Sequence, residues 1–241
     1  MTDYIKVLNE VKSLNSNVTL LAVSKTKPYE DILEAYSDGC RLFGENRVQE
    51  TAEKFPLERP EGLKVYLIGQ LQRNKVRKAV RIVDRIESVD SIPLLEKIDA
   101  ESKEIGKVMD ILFEVNSSGE EQKSGFRTKE ELFEAVEKAK ELRNVRLLGL
   151  MTVGPLGGDS DKNRKAFTYT RELFDEIGRD YPLTVLSMGM SADWRDAVEC
   201  GSTEVRIGSA IFGARDYAKR RKPLLFSLLS HSPSRLCFRR R

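Results

Sequence analysis

Histidine is almost missing from this 241-residue chain: the single one, His231, lies near the C-terminal end. That scarcity excludes a Ser-His-Asp triad and a histidine-ligated zinc site from the body of the protein. Nucleotide fingerprints are missing too, with no G-x-x-x-x-G-K-[ST] and no G-x-G-x-x-G after a strand. The three cysteines, Cys40, Cys200 and Cys237, are odd in number and widely spaced, so they make no disulfide framework. No apolar run approaches the ~20 residues that cross a bilayer. The opening "MTDYIKVLNEVKSLNSN" lacks the basic-then-apolar order of a signal peptide and reads as a short amphipathic helix. These absences point to a cytoplasmic protein with no membrane contact and no metal. Binding or catalysis is left to lysine, arginine, carboxylates, hydroxyls and backbone.

What is present is a core. Hydrophobic residues make up 40% and charged residues 33%, the balance of a globular protein. The net charge of +3 misleads, because "KRRKPLLFSLLSHSPSRLCFRRR" (219–241) carries eight Lys/Arg and no acid. Taking those 8 from 41 leaves 33 basic against 38 acidic residues, a body charge of −5. One basic stretch stays inside the body, "RNKVRKAVRIVDR" (73–85). There Arg73, Arg77 and Arg81 fall four apart and are expected to share a helix face, either solvated or a stripe for phosphate or nucleic acid.

Short apolar runs alternate with helical patterns along nearly the whole chain. The expected strands are Thr19–Val23, Leu42–Gly44, Lys64–Ile68, Ile86–Val89, Asp110–Val115, Leu147–Thr152, Thr184–Ser187 and Glu204–Ile207. Between them stand helix signals: Pro28 with Glu30 and Asp31 in a first turn, Gly39 just past the end, a serine cap at Ser91, and a Thr128-x-x-Glu131 capping box. The strands are near-continuously apolar rather than alternating, as in parallel sheets covered on both faces. Eight β-then-α units in this length predict an α/β chain folded as a single (β/α)8 TIM barrel with an extra N-terminal helix. A doubly wound open sheet is the alternative. The barrel is expected over 1–218, and 219–241 as a basic tail, disordered or artefactual.

A barrel places its working groups at the C-terminal ends of its strands. Strand 1 ends in Ser24-Lys25, strand 2 runs into "FGENRVQE", strand 3 into "IGQLQRNK", strand 5 into "EVNSSGEEQKSGF", strand 6 into "GLMTVGP", strand 7 into "LSMGMSADW", and strand 8 into "VRIGSAIFG". Glycines, hydroxyls and amides gather at every one. In the last, Gly208 and Ser209 open a helix directly after a strand, where backbone N–H groups and close approach favour an anion. Ser187 and Ser191 are expected on the same side. A phosphate clamp facing a strand-1 lysine suits a Schiff base to a phosphorylated aldehyde, whether pyridoxal phosphate or an aldolase substrate.

The ordered set "LLAVSKTKP", "FGENRVQE", "LIGQLQRNK", "KSG", "GLMTV", "SMGMSADW" and "VRIGSAIFGARDY" resembles the pyridoxal-phosphate homeostasis (YggS/PROSC) family, which shares the barrel of the alanine racemase N-terminal domain. The likeness runs from about residue 18 to 217. It implies pyridoxal 5'-phosphate as cofactor, held as a Schiff base on Lys25, with Asn46 near the ring and Arg206 facing the pyridine nitrogen. It further implies that Ser187, Ser191, Gly208 and Ser209 hold the phosphate, with Met188 and Gly189 along the same edge. Lys27, at a helix cap before Pro28, is expected to lean into solvent. Tyr66 stands where many relatives carry histidine, and the tail after Tyr217 has no counterpart. The family implies a carrier in intracellular pyridoxal phosphate homeostasis without robust turnover and with no established catalytic residue. Its partners would be the cofactor itself and the apoenzymes that receive it. A pyridoxal-phosphate-dependent amino-acid racemase and an adaptor using the Arg73–Arg81 face are the other readings, nucleic acid being the less expected partner.

Overall fold

The computed structural model describes residues 2–214; the expectations for the basic tail lie outside the described residues. Eight strands form a closed parallel barrel in sequence order. They are β1 (Thr19–Val23), β2 (Leu42–Glu45), β3 (Lys64–Leu67), β4 (Arg85–Val89), β5 (Met109–Val115), β6 (Val145–Thr152), β7 (Val185–Met190) and β8 (Glu204–Ile207). Closure comes from β8 pairing with β1 in the register Thr19↔Glu204 to Ala22↔Ile207. Each strand is followed by a helix: α2 (Tyr29–Ser37), α3 (Val48–Lys54), α4 (Val76–Ile82), α5 (Ile92–Lys103), α6 (Lys129–Glu141), α7 (Ser160–Ile177), α8 (Trp194–Glu199) and α9 (Ser209–Phe212). The extra helix α1 (Tyr4–Leu14) buries Tyr4, Val7 and Val11 and packs against α9 and β1. The open doubly wound sheet is thereby excluded. Among the described residues no helix is long and apolar enough to cross a membrane.

Local signals act as chemistry requires. Gly39 takes φ +96° after α2, and the N–H groups of Gly39 and Cys40 bond the carbonyls of Tyr36 and Ala35, a left-handed stop that satisfies two end carbonyls. Thr128 and Glu131 form the reciprocal capping box of α6. Ser91 occupies the N-cap of α5, yet its hydroxyl makes no cap and bonds Asp90 Oδ1 at 3.1 Å instead. The basic stretch also differs from expectation. Arg73 lies in a 3₁₀ turn, Arg73–Lys75, and α4 begins only at Val76, so Arg73 does not share a regular helix face with Arg77 and Arg81. The tighter turn changes the angular spacing that a four-residue repeat assumes.

Strand residues alternate between two cores. One set, including Leu20, Ala22, Phe43, Ile111, Phe113, Leu186 and Met188, packs outward against the helices. Full burial of such a side chain contributes about 1.5–3 kcal/mol. The inward set begins apolar, with Leu21 of β1 lying against Gly44 of β2. Toward β4 and β8 it becomes charged. Arg85 reaches Glu87 at 2.5 Å and Glu204 at 2.5 Å, and its guanidinium stacks 3.9 Å from the Tyr66 ring. Tyr66 therefore serves the barrel interior and does not line the cavity described below.

Candidate functional site

At the C-terminal ends of the strands lies a cavity of ≈ 420 Å³. Val23, Ile68 and Val153 supply apolar wall, Lys25 and Lys27 come from the β1–α2 turn, and Asn46 from the end of β2. Ser191 follows β7, Arg206 rises from β8, and Gly208 and Ser209 open α9. Six residues expected from the sequence (Lys25, Asn46, Ser191, Arg206, Gly208 and Ser209) thus share one cavity.

Ser187, Met188 and Gly189 do not line it. The strand expected to end at Ser187 runs on to Met190, with a register shift against β8 between Ser187 and Met190. Met188 therefore faces outward into the helix layer and Gly189 lies under α8, where a Cβ would stand 2.7 Å from that of Ala197. Ser187 is fully buried below the cavity, donating to Glu87 Oε2 at 2.8 Å and accepting from Arg206 at 2.7 Å.

Lys27 corrects an expectation. It is half-buried, lines the cavity, and donates from Nζ to the carbonyls of Phe212 and Ala214. The last carbonyls of a helix lack intrahelical partners, so an ammonium at the end of α9 satisfies them. Sequence reasoning weighed only the unfavourable cap of α2, because the carbonyls that hold Lys27 lie 185 residues away.

Arg206 donates to the Ser187 carbonyl at 2.7 Å and the Thr152 carbonyl at 2.6 Å as well as to the Ser187 hydroxyl. Three of a guanidinium's five N–H donors are used in this way. Burial lowers its proton affinity, while the charges of Glu87, Glu204, Asp193 and Glu114 act in the other direction. Beneath it burial would raise Glu87, but Arg85 and Arg206 hold that carboxyl below its usual range. Burial and the adjacent Glu87 charge push Glu204 up to about 7. Sequence reasoning did not assign Arg85, Glu87 or Glu204. Their signal was charges at alternate positions in "RIESV" and "EVRI", two runs otherwise read as buried strands.

At the Ser191–Ser209 corner the Gly208 N–H points at Ser191 Oγ, 3.4 Å away. A Cβ on Gly208 would stand 2.9 Å from the Val23 carbonyl, so only glycine fits between this corner and β1. On the opposite side Asn46 Oδ1 is buried with no hydrogen-bond partner among the described residues. The Asn46 backbone is also packed tightly: a Cβ on Gly69 would fall 2.4 Å from its carbonyl oxygen.

Residues 5–216 match the family model described as alanine racemase, N-terminal domain. The pyridoxal phosphate homeostasis protein of Vibrio cholerae is 42% identical over 209 residues, covering 85% of this chain and 88% of the relative. The structure of PipY from Synechococcus elongatus, solved with PLP bound, aligns with a TM-score of 0.75 at 37% identity over 86% of this chain and 100% of PipY. An alanine racemase of Clostridium difficile aligns with a TM-score of 0.67 at 16% identity, covering 86% of this chain and 55% of the racemase, a likeness of fold.

Proposed function

This chain belongs to the pyridoxal phosphate homeostasis proteins, whose barrel is that of the alanine racemase N-terminal domain, and from that premise we propose that it holds pyridoxal phosphate on Lys25 as an intracellular carrier. The observation that carries the proposal is the convergence of six strand-end residues on one cavity, with a lysine on one wall and an anion-suited corner on another. The residues fit the group. Asn46 brings a buried carbonyl oxygen with no partner among the described residues, Gly208 leaves a cradle that a Cβ would fill, and Ser191 and Ser209 bring hydroxyls. Its volume suits a small ligand.

When bound, pyridoxal phosphate supplies an aldehyde that condenses with a lysine amine, releasing water, and a ring that withdraws electrons. The chain's own residues have separable tasks. Lys25 presents the amine. Ser191, Ser209 and the N–H groups opening α9, which have no intrahelical acceptor, would hold the phosphate. Arg206, a donor only, would serve the ring nitrogen and would offer it no proton acceptor. Lys27 closes the cavity by tying the β1–α2 turn to the end of α9. Ser187 acts one layer down, fixing Arg206. Met188 and Gly189 support the edge from behind, through the helix layer.

The proposed partners are the cofactor and the apoenzymes that receive it, and the proposed location is the cytoplasm. Borohydride treatment of the purified protein followed by peptide mass mapping tests the central assignment. The pyridoxyl adduct should fall on Lys25, with loss of the visible absorbance. An adduct on Lys27 overturns it.

A further inference from the structure

The turn that presents Lys25 is built against the preference of its own residues. β1 ends at Val23 and α2 begins at Tyr29, so the chain must reverse within a few residues. It does so at Thr26, whose φ is +68°. A β-branched residue in the left-handed region is a genuine outlier, and such a residue persists only where its surroundings over-determine it. Its side chain gains nothing, for Thr26 Oγ1 is buried with no hydrogen-bond partner among the described residues. What is held is the backbone.

The holding groups lie on α3. Glu50 Oε1 accepts the Thr26 N–H. Lys54, one turn further along, donates from Nζ to the Ser24 carbonyl at 2.8 Å, to Glu45 Oε1 at 2.7 Å and to Glu50 Oε1 at 3.2 Å. Those bonds match the three donors an ammonium carries. Ser24 Oγ closes the cluster on Glu45 Oε1 at 2.6 Å, and the Lys27 N–H bonds the Ser24 carbonyl at 3.0 Å. Ser24 and Glu45 are fully buried and the Lys54 side chain is 7% exposed. The cluster grips the residues on both sides of Lys25, Ser24 and Thr26. α3 begins at Val48, two residues after Asn46, so the same helix stands beside a second cavity residue.

We propose that Glu50, backed by Lys54 and Glu45, is a positioning residue that holds Thr26 in the left-handed conformation and so sets where the Lys25 amine stands. The inference rests on the proposed role of Lys25 and adds the device that makes that lysine ready before any ligand arrives.

Two variants and their combination test it. Glu50→Ala removes the acceptor. Thr26→Gly removes the strain, since glycine takes positive φ without steric cost. Glu50→Ala should lower the fraction of Lys25 trapped by borohydride at a limiting pyridoxal phosphate concentration by about tenfold, the scale of one backbone outlier. It should speed hydrogen exchange at the Thr26 amide in the unliganded protein and leave inorganic phosphate binding unchanged. Thr26→Gly in the Glu50→Ala background should recover most of the trapping. Glu50→Gln keeps an acceptor but not the charge that draws Lys54, and should fall between the native protein and Glu50→Ala. Native-like exchange and trapping in Glu50→Ala, or an equal loss of phosphate binding, overturns the proposal. If Glu50→Ala fails to fold, Glu50→Gln carries the test, and no change in either readout there overturns it. If the native protein traps nothing on Lys25, the carrier reading fails by itself. The Thr26 exchange rate then decides this inference, and an unchanged rate overturns it.

Discussion

At the scale of single residues, the cavity keeps polar groups that folding alone does not reward. Asn46 Oδ1 is buried without a partner among the described residues, a state that costs about 1–3 kcal/mol of desolvation. Removing that oxygen should therefore separate folding from binding. Asn46→Ala is expected to leave the melting temperature of the unliganded protein unchanged or slightly raised, while pyridoxal phosphate affinity falls about tenfold, the equivalent of about 1.4 kcal/mol. Equilibrium titration at visible wavelengths and calorimetry on one preparation check both halves. A lower melting temperature with native affinity would make Asn46 a structural residue. The two lysines teach a related lesson. Lys25 and Lys27 share a turn and a cavity, yet Lys27 spends its ammonium on the end of α9, and only the three-dimensional path of the chain brings those carbonyls to it.

At the scale of elements, β4 and β8 fill one side of the barrel with ions where β1 fills it with leucine and valine. Arg85 bridges Glu87 and Glu204, and Arg206 lies above them, so the two carboxylates titrate as a coupled pair between two fixed cations. The direction for Glu204 is upward, to about 7, through burial and then the Glu87 charge. The folded protein thus keeps a proton that the unfolded chain releases above about pH 4.3, and stability falls wherever the folded state binds more protons. The melting temperature of the unliganded protein should decline as pH rises from about 5 to about 7. In Glu204→Gln the decline should be shallower; it should not vanish, because burial also raises Glu45, Asp90, Glu114 and Asp193. Glu87, held low, acts with the opposite sign and below this window. An unchanged slope in Glu204→Gln would show that Glu204 keeps an ordinary carboxyl value.

At the scale of the whole molecule, the decisive feature is what the barrel sets around Lys25. Among the described residues, those lining the cavity include no carboxylate, tyrosine, cysteine or histidine, and Lys27 is already engaged. Racemisation needs a proton removed from one face of a carbon and returned to the other, which calls for a second acid–base group opposite the first. In the proposed site Arg206, a donor that keeps its proton at ordinary pH, would not favour a protonated ring and the electron withdrawal that goes with it. L-Alanine or L-serine incubated with the loaded protein in deuterated water should accordingly show at most slow exchange at the α-carbon. No accumulation of the D-isomer is expected over many protein equivalents. Rapid D-isomer formation abolished by Lys25→Ala would promote the racemase reading over the carrier.

Much of this protein was legible one residue at a time. The eight β-then-α units, the glycine stop at Gly39 and the Thr128–Glu131 cap follow from local chemistry, because their partners lie within a few residues. The strand-end rule of barrels and the resemblance to a known family together placed six residues in one cavity. What the sequence left open depends on partners far apart in the chain. The length of β7 is decided by a register shift against β8, and that extension takes Ser187, Met188 and Gly189 away from the cavity. The ionic floor joins β4 to β8 across 119 positions, the reach of Lys27 spans 185, and the Glu50 clamp on Thr26 spans 24. Local propensity determined which elements form, because it acts through neighbours. Closure of the barrel decided which charges meet, because only closure sets β8 beside β1 and turns β4 and β8 toward one interior.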